Sequence, residues 1–170
     1  YITEYSYGIL ETLNLFIPKF MGGASSDRIS EDSQLMDFIK TLDPSQAQQV
    51  YQYSRLYWGD QPIVAAPAYI GASILFIFFL GLFLVKSINM RWLLPSIILS
   101  VLLSWGKNFE LLTNLMIDYF PFYDKFRAVS SIQIILEFCI PLVAVFAIHK
   151  FFSNKVEEKI KLKTLYLVVS

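Results

Sequence analysis

The sequence predicts an all-α protein, a polytopic transmembrane helix bundle with an extracytoplasmic layer of short helices. Three observations carry this. Of the 170 residues, 55% are hydrophobic and only 16% are charged, against about 25% charged in an ordinary soluble domain. Mean hydropathy is +0.51. The apolar residues are gathered into long runs after residue 66, with the charges left between them.

Gln61–Val85 contains no charge. About 20 helical residues at 1.5 Å each cross a hydrocarbon core, so a first span is expected at about 67–86. Gly71, Ala72, Ser73 and Gly81 are small enough to let a neighbouring helix approach. Lys86–Arg91 reads as a turn. A second span, 88–105, is bracketed by Trp92 and Trp105 as interface anchors, with Arg91 and Lys107 snorkelling outward and Pro95 in its first turn. A third, 128–148, holds one charge, Glu137, and an expected kink at Pro141. Another is expected to start at 164.

Residues 1–66 differ in kind. Lys19, Arg28, Lys40 and Arg55 face eight acidic residues, a net of −4. In the first twenty residues Ile9, Leu10, Leu13, Phe16 and Ile17 recur at helical spacing, with Glu11 and Asn14 on the polar side, as in a short helix lying on a membrane. Gly22-Gly23-Ala24-Ser25-Ser26 is a loop signal without the Lys-Ser/Thr of a phosphate-binding loop. Leu35, Met36 and Ile39 predict a helix within 27–42. Asp43-Pro44-Ser45-Gln46 predicts a helix start running to about Leu56, with Asp43 as cap, Pro44 at the first position and Gln46 completing a capping box. An aromatic turn, Tyr57–Pro62, follows.

Between the second and third spans lies a stretch too polar to cross a bilayer and too aromatic for a solvated loop. Lys107, Glu110, Asn114 and Asp118 alternate with Phe109, Leu112, Met116 and Tyr119 at helical period, and Pro121 ends the pattern. This predicts an interfacial helix within an outer loop, 107–127.

The basic turn Lys86–Arg91 and the lysine-rich segment Lys150–Lys163 fall on one side, expected to be cytoplasmic. Residues 1–66 and 107–127 then lie outside. The opening has no Met, basic n-region or cleavage site, and the apolar tail breaks off. The chain is therefore expected to be an internal piece of a longer membrane protein.

Composition excludes several functions. Zero net charge gives nucleic acid no purchase. The lone Cys139 rules out a disulfide framework and reads as a packing residue. His149, at the end of a span with no His or Cys nearby, is no metal site, and no cofactor is expected. The expected partner is membrane lipid.

The candidate binding residues cluster at the outer face. Lys125 and Arg127 precede the third span. A guanidinium there can grip a phosphate with two parallel hydrogen bonds, or it can snorkel to headgroups or pair with Asp124. Glu137 inside a span is costly unless it faces the bundle interior, with Gln133 one turn earlier as its partner. It reads as functional or as a neutral, hydrogen-bonded structural acid. Asp60 is a general base or a turn residue. Tyr57, Trp58 and Tyr123 are the aromatic candidates at the same face.

ETLNLFIPKFMGG (Glu11–Gly23), YWGDQP (Tyr57–Pro62), PAYIGA (Pro67–Ala72), LSWGKNF (Leu103–Phe109) and YDKFRAVS (Tyr123–Ser130) resemble, in order and spacing, the YfhO family of bacterial membrane proteins, particularly its large Bacteroidetes members. The family is similar to GT-C glycosyltransferases, which take a sugar from a polyprenyl-phosphate carrier at the outer membrane face. The resemblance implies an envelope glycosyltransferase whose catalytic carboxylate lies in an outer loop beyond this segment. The alternatives are a transporter or flippase of a lipid-linked or anionic substrate, and a structural membrane subunit.

Overall fold

The computed structural model describes residues 3–54, 56–65, 67–125, 127–153 and 158–169. Arg55 and Phe126, and Lys155 and Glu157 of the lysine-rich segment, lie outside the described residues, as do Tyr1, Ala66 and Ser170.

Among the described residues the regular structure is helical: α1 (Gln34–Lys40), α2 (Pro44–Tyr53), α3 (Ala72–Leu84), α4 (Met90–Ser104), α5 (Glu110–Tyr119), α6 (Gln133–Phe152) and α7 (Glu158–Val169). Short 3-10 turns occupy Leu10–Leu15, Gly106–Phe109, Tyr123–Lys125 and Val129–Ile132. The all-α prediction therefore holds.

The helix lengths depart from the expected spans. Val129–Phe152 is the one described segment long and apolar enough to cross a membrane, with mean hydropathy 2.3. α3 and α4 are apolar but have 13 and 15 residues, about 20 and 22 Å at 1.5 Å each, against a core of about 30 Å. α3 starts late for a visible reason. The Ile70 N–H is donated to Leu15 O at 3.2 Å rather than to a helix, and Gly71 has φ +102. Residues 67–71 are consequently non-helical. α4 begins at Met90, so Pro95 falls in its second turn, not its first. α7 begins at Glu158, ahead of the expected start at 164, and takes in Lys159, Lys161 and Lys163.

α6 packs against α3 and α4. Their shared core includes Leu75, Phe78, Met90, Leu93, Leu136, Ile140 and Val143, with Cys139 and Leu15. Gly81 brings α3 onto α6. A Cβ there would lie 3.0 Å from Val143 Cγ1, 3.1 Å from Ala147 Cβ and 3.2 Å from Val143 O. Gly81→Ala is expected to destabilise the full-length protein by about 1–2 kcal/mol, because overpacking outweighs the gain in helix propensity. Reversible unfolding in mixed micelles checks this; an unchanged midpoint would mean the two helices part at no cost.

The outer elements follow local signals. Ser33 caps α1, accepting from Met36 N at 3.2 Å. α2 starts at Pro44 as its sequence predicts, but Asp43 makes no side-chain cap bond and the helix ends at Tyr53, before Leu56. α5 forms the predicted helix and stops before Pro121. Its Leu112 and Met116 pack on a second small core of Leu103, Tyr123 and Val129.

The first segment keeps its two predicted faces as a 3-10 turn over Leu10–Leu15, but the polar face is covered by the protein. Glu11 and Asn14 are buried, while Ile9, Leu10, Leu13, Phe16 and Ile17 are exposed. Hydrophobic periodicity finds the apolar face but not which face the protein covers. Here the polar pair has nonlocal partners, so the polar face turns inward.

Candidate functional site

The site is built where the first residues thread across the outer ends of α4 and α6. Tyr7 N donates to Ser104 O at 2.8 Å, and Ser130 N donates to Tyr5 O at 3.2 Å. Lys107 N donates to Ser6 Oγ at 2.9 Å, and Asn108 Nδ2 donates to Tyr7 O at 2.9 Å. Gly106 lets this strand-like segment come close, since a Cβ on it would meet Ser6 Oγ at 2.2 Å and φ is +46. Trp105 Nε1 donates to Thr12 Oγ1 at 2.9 Å. Trp105 is therefore a clamp on the first segment.

Glu11 joins two distant stretches of chain, 8–11 and 57–61. Its side chain is 1% exposed. Oε2 accepts from Gly8 N at 2.6 Å and from Asp60 N at 3.2 Å. Oε1 accepts from the Tyr57 hydroxyl, whose oxygen in turn accepts from Gln61 N at 3.3 Å. Gly59 makes room for this: a Cβ there would lie 2.2 Å from both Glu11 Oε1 and the Tyr57 hydroxyl. Tyr57 itself is placed by an antiparallel bridge to Gly22, and Asn14 Oδ1 accepts from Met21 N at 2.9 Å.

Beside this junction is a cavity of about 260 Å³, lined by Tyr7, Glu11, Asn14, Tyr57, Gln61, Ser130, Ser131 and Gln133, with Val64 and Pro67 among its apolar residues. Burial, with the Glu11 carboxylate close by, pushes the Tyr57 hydroxyl far above the usual phenol range. Burial likewise pushes Tyr7 up to about 12. Both phenols are O–H donors at neutral pH. A phenol whose folded value lies above its unfolded value of about 10 stabilises the fold fully below that pH, and the stabilisation falls away as pH rises from about 10 towards 12.

The second space is apolar, a groove of about 390 Å³ lined by Tyr123, Ala128, Val129, Ser131, Ile132, Ile134 and Ile135. Ser131 lines both spaces. Arg127 immediately precedes this wall and is exposed.

The candidates read from sequence are divided between these places. Tyr57 and Asp60 meet at Glu11. The Asp60 side chain is exposed and accepts from Asn108 Nδ2 at 3.1 Å, so it is held in a turn. Tyr123 is buried against the groove, where burial raises its hydroxyl above the usual value. Lys125 pairs with Asp124 at 2.6 Å. Among the described residues no acid pairs with Arg127. Trp58 is 77% exposed, away from both spaces. Glu137 is a correction: its side chain is exposed, not turned into the bundle. α6 covers the stripe through Leu136, Ile140, Val143 and Ala147, and Glu137 is rotated about 100° from Leu136. Gln133, its expected partner, is buried and approaches Ser104 Oγ at 3.5 Å.

Tyr7, Glu11 and Asn14 were not singled out by sequence. The available signal was the Glu-x-x-Asn spacing inside an apolar run, which puts two polar groups on one face. Among the described residues no three of His, Cys, Asp and Glu gather as a metal site. No protein-family model, no curated protein and no solved structure matches this chain.

Proposed function

We propose that this chain is part of a multi-pass, glycosyltransferase-like protein of the bacterial cell envelope that handles a polyprenyl-phosphate-linked sugar at the outer membrane face. The observation that carries the reading is the junction at Ser131, where an apolar groove meets a polar cavity, with the exposed cation Arg127 one residue before the groove wall. A lipid-linked sugar has three parts of matching chemistry: an apolar chain, a phosphate and a hydroxylated head. The ordered motifs that resemble the YfhO family support the same assignment.

In this reading the prenyl chain lies along Ile132, Ile134 and Ile135, on the exposed side of α6. Arg127, with Lys125 nearby, holds the phosphate and stabilises the charge that builds on it as the glycosidic bond breaks. The carboxylate that activates the acceptor hydroxyl lies in another part of the longer protein. α3 and α4 cross the bilayer with help from flanking residues and local thinning, with 86–91 and 150–163 cytoplasmic and 1–66 and 107–127 outside.

A transporter is favoured by one observation. α3 is short and is entered from the non-helical stretch 67–71, the interrupted geometry that transporters use at substrate sites.

The test is release of free polyprenyl phosphate by the full-length protein in membranes supplied with polyprenyl-phosphate sugars. Arg127→Ala is expected to slow release about 10- to 100-fold, the loss of one charge-assisted contact worth about 1.5–3 kcal/mol. Release by the wild type that is indifferent to Arg127→Ala would move the phosphate elsewhere. Movement of intact lipid-linked sugar across the membrane without release would favour the transporter.

A further inference from the structure

The polar cavity contains one unanswered group. The Tyr7 hydroxyl is buried, in a residue only 3% exposed, and has no hydrogen-bond partner among the described residues. Asn14 and Gln133 are the side chains that come nearest to hydrogen-bonding it, but neither meets it with hydrogen-bond geometry. Buried polar atoms are nearly always paired, and an exception calls for a missing partner.

The other groups restrict what that partner is. Glu11 does not call for a cation, because both its oxygens already accept hydrogen bonds. Among the described residues no lysine or arginine lines the cavity, so these residues offer nothing to neutralise a phosphate. The phenols stay protonated at neutral pH, so Tyr7 presents a donor. The Gln133 amide, with one carbonyl and one NH2, serves a group that both donates and accepts. A hydroxyl does both and carries no charge.

We infer that the cavity between the Glu11–Asn14 turn and the start of α6 binds an uncharged, hydroxyl-bearing group, and that the Tyr7 hydroxyl is the donor that selects it. This rests on the lipid-linked-sugar reading for the source of that group, the sugar head, and adds that the head and the phosphate are held by different residues. Tyr7 is a specificity residue that touches the ligand; Glu11 and Tyr57 position the wall around it.

The test separates head from phosphate with small probes. Full-length protein in nanodiscs is titrated with hexyl glucoside, hexyl galactoside and hexyl mannoside, and with hexyl phosphate. At least one glycoside is expected to bind, and Tyr7→Phe is expected to weaken it about 5- to 10-fold, the worth of one neutral hydrogen bond. Hexyl phosphate is expected to be unaffected by Tyr7→Phe and weakened by Arg127→Ala. Because the hydroxyl has no partner among the described residues, Tyr7→Phe is also expected to keep or raise Tm. A Tm that falls would mean that the hydroxyl serves the fold, and would overturn the inference. So would glycoside affinity equal in wild type and Tyr7→Phe, or no glycoside binding at all. Failure of the glycosides while hexyl phosphate still depends on Arg127 would overturn the inference alone. Failure of hexyl phosphate, with a Tyr7-dependent glycoside, would instead remove the phosphate from the proposed function.

Discussion

Glu11→Ala is expected to destabilise the full-length protein by at least about 3 kcal/mol. The substitution strips partners from the Gly8 and Asp60 N–H groups and from the Tyr57 hydroxyl. Each buried donor left unpaired costs about 1–3 kcal/mol, offset in part where cavity water reaches it. Glu11→Gln keeps an oxygen acceptor and should lose about half as much. Tyr57→Phe removes one donor and leaves the carboxylate two N–H groups, for about 1–2 kcal/mol. Since Glu11 and Tyr57 touch, their losses should not add; a double-mutant cycle should return a coupling of about 1–3 kcal/mol. Reversible unfolding in mixed micelles measures all four proteins. A Glu11→Ala loss below about 1 kcal/mol, within the range of ordinary surface substitutions, would mean that the junction is not what holds the outer layer to the helices.

Gly22→Ala should be nearly as damaging, for a different reason. Gly22 has φ +92, and an added Cβ would fall 1.8 Å from Leu56 O. That carbonyl accepts from Gly23 N at 2.9 Å, and Trp58 N donates to Met21 O at 2.9 Å across the same bridge. A backbone oxygen so held cannot swing aside as a flexible side chain would, so the bridge must open. The backbone conformation alone costs about 1–2 kcal/mol, and the lost bridge brings the total to about 3–4 kcal/mol. Gly71→Ala is the control. It has φ +102 and ψ 129, extended backbone nearly reserved for glycine, but the nearest atom to its Cβ is Ile74 Cδ1 at 4.0 Å, so only the backbone cost of about 1–3 kcal/mol applies. Equal losses at the two glycines would show that the bridge contributes nothing.

The parts legible in the sequence are those governed by near neighbours. Asp43-Pro44 marks a helix start, the Lys86–Arg91 turn separates α3 from α4, and Pro121 follows the end of α5. Each signal acts within one or two turns of chain. The late start of α3 was hidden because it depends on a hydrogen bond from Ile70 to Leu15, far back in the chain. Glu11 was hidden likewise, its partner Tyr57 being 46 residues away. The inward turn of Glu11 and Asn14 defeats the usual rule for another reason. In water an amphipathic helix buries its apolar side. On the membrane location proposed above, hydrocarbon would solvate that side and polar groups would find partners inside the protein instead. Trp105 was legible as an aromatic at the end of a run, but its indole N–H had a specific oxygen to find on Thr12.

The bridge between Gly22 and Tyr57 has a consequence for how this chain can vary. The polypeptide leaves the body of the protein at Met21–Gly23 and returns at Leu56–Trp58, so α1 and α2 hang from a gate whose two posts are tied together. Because the tie holds the loop ends independently of what lies between, lengthening the excursion costs only about 0.6 kcal/mol per doubling. This is the place where the protein can accept a reporter domain, or where a protease can nick it, while the junction at Glu11 stays shut.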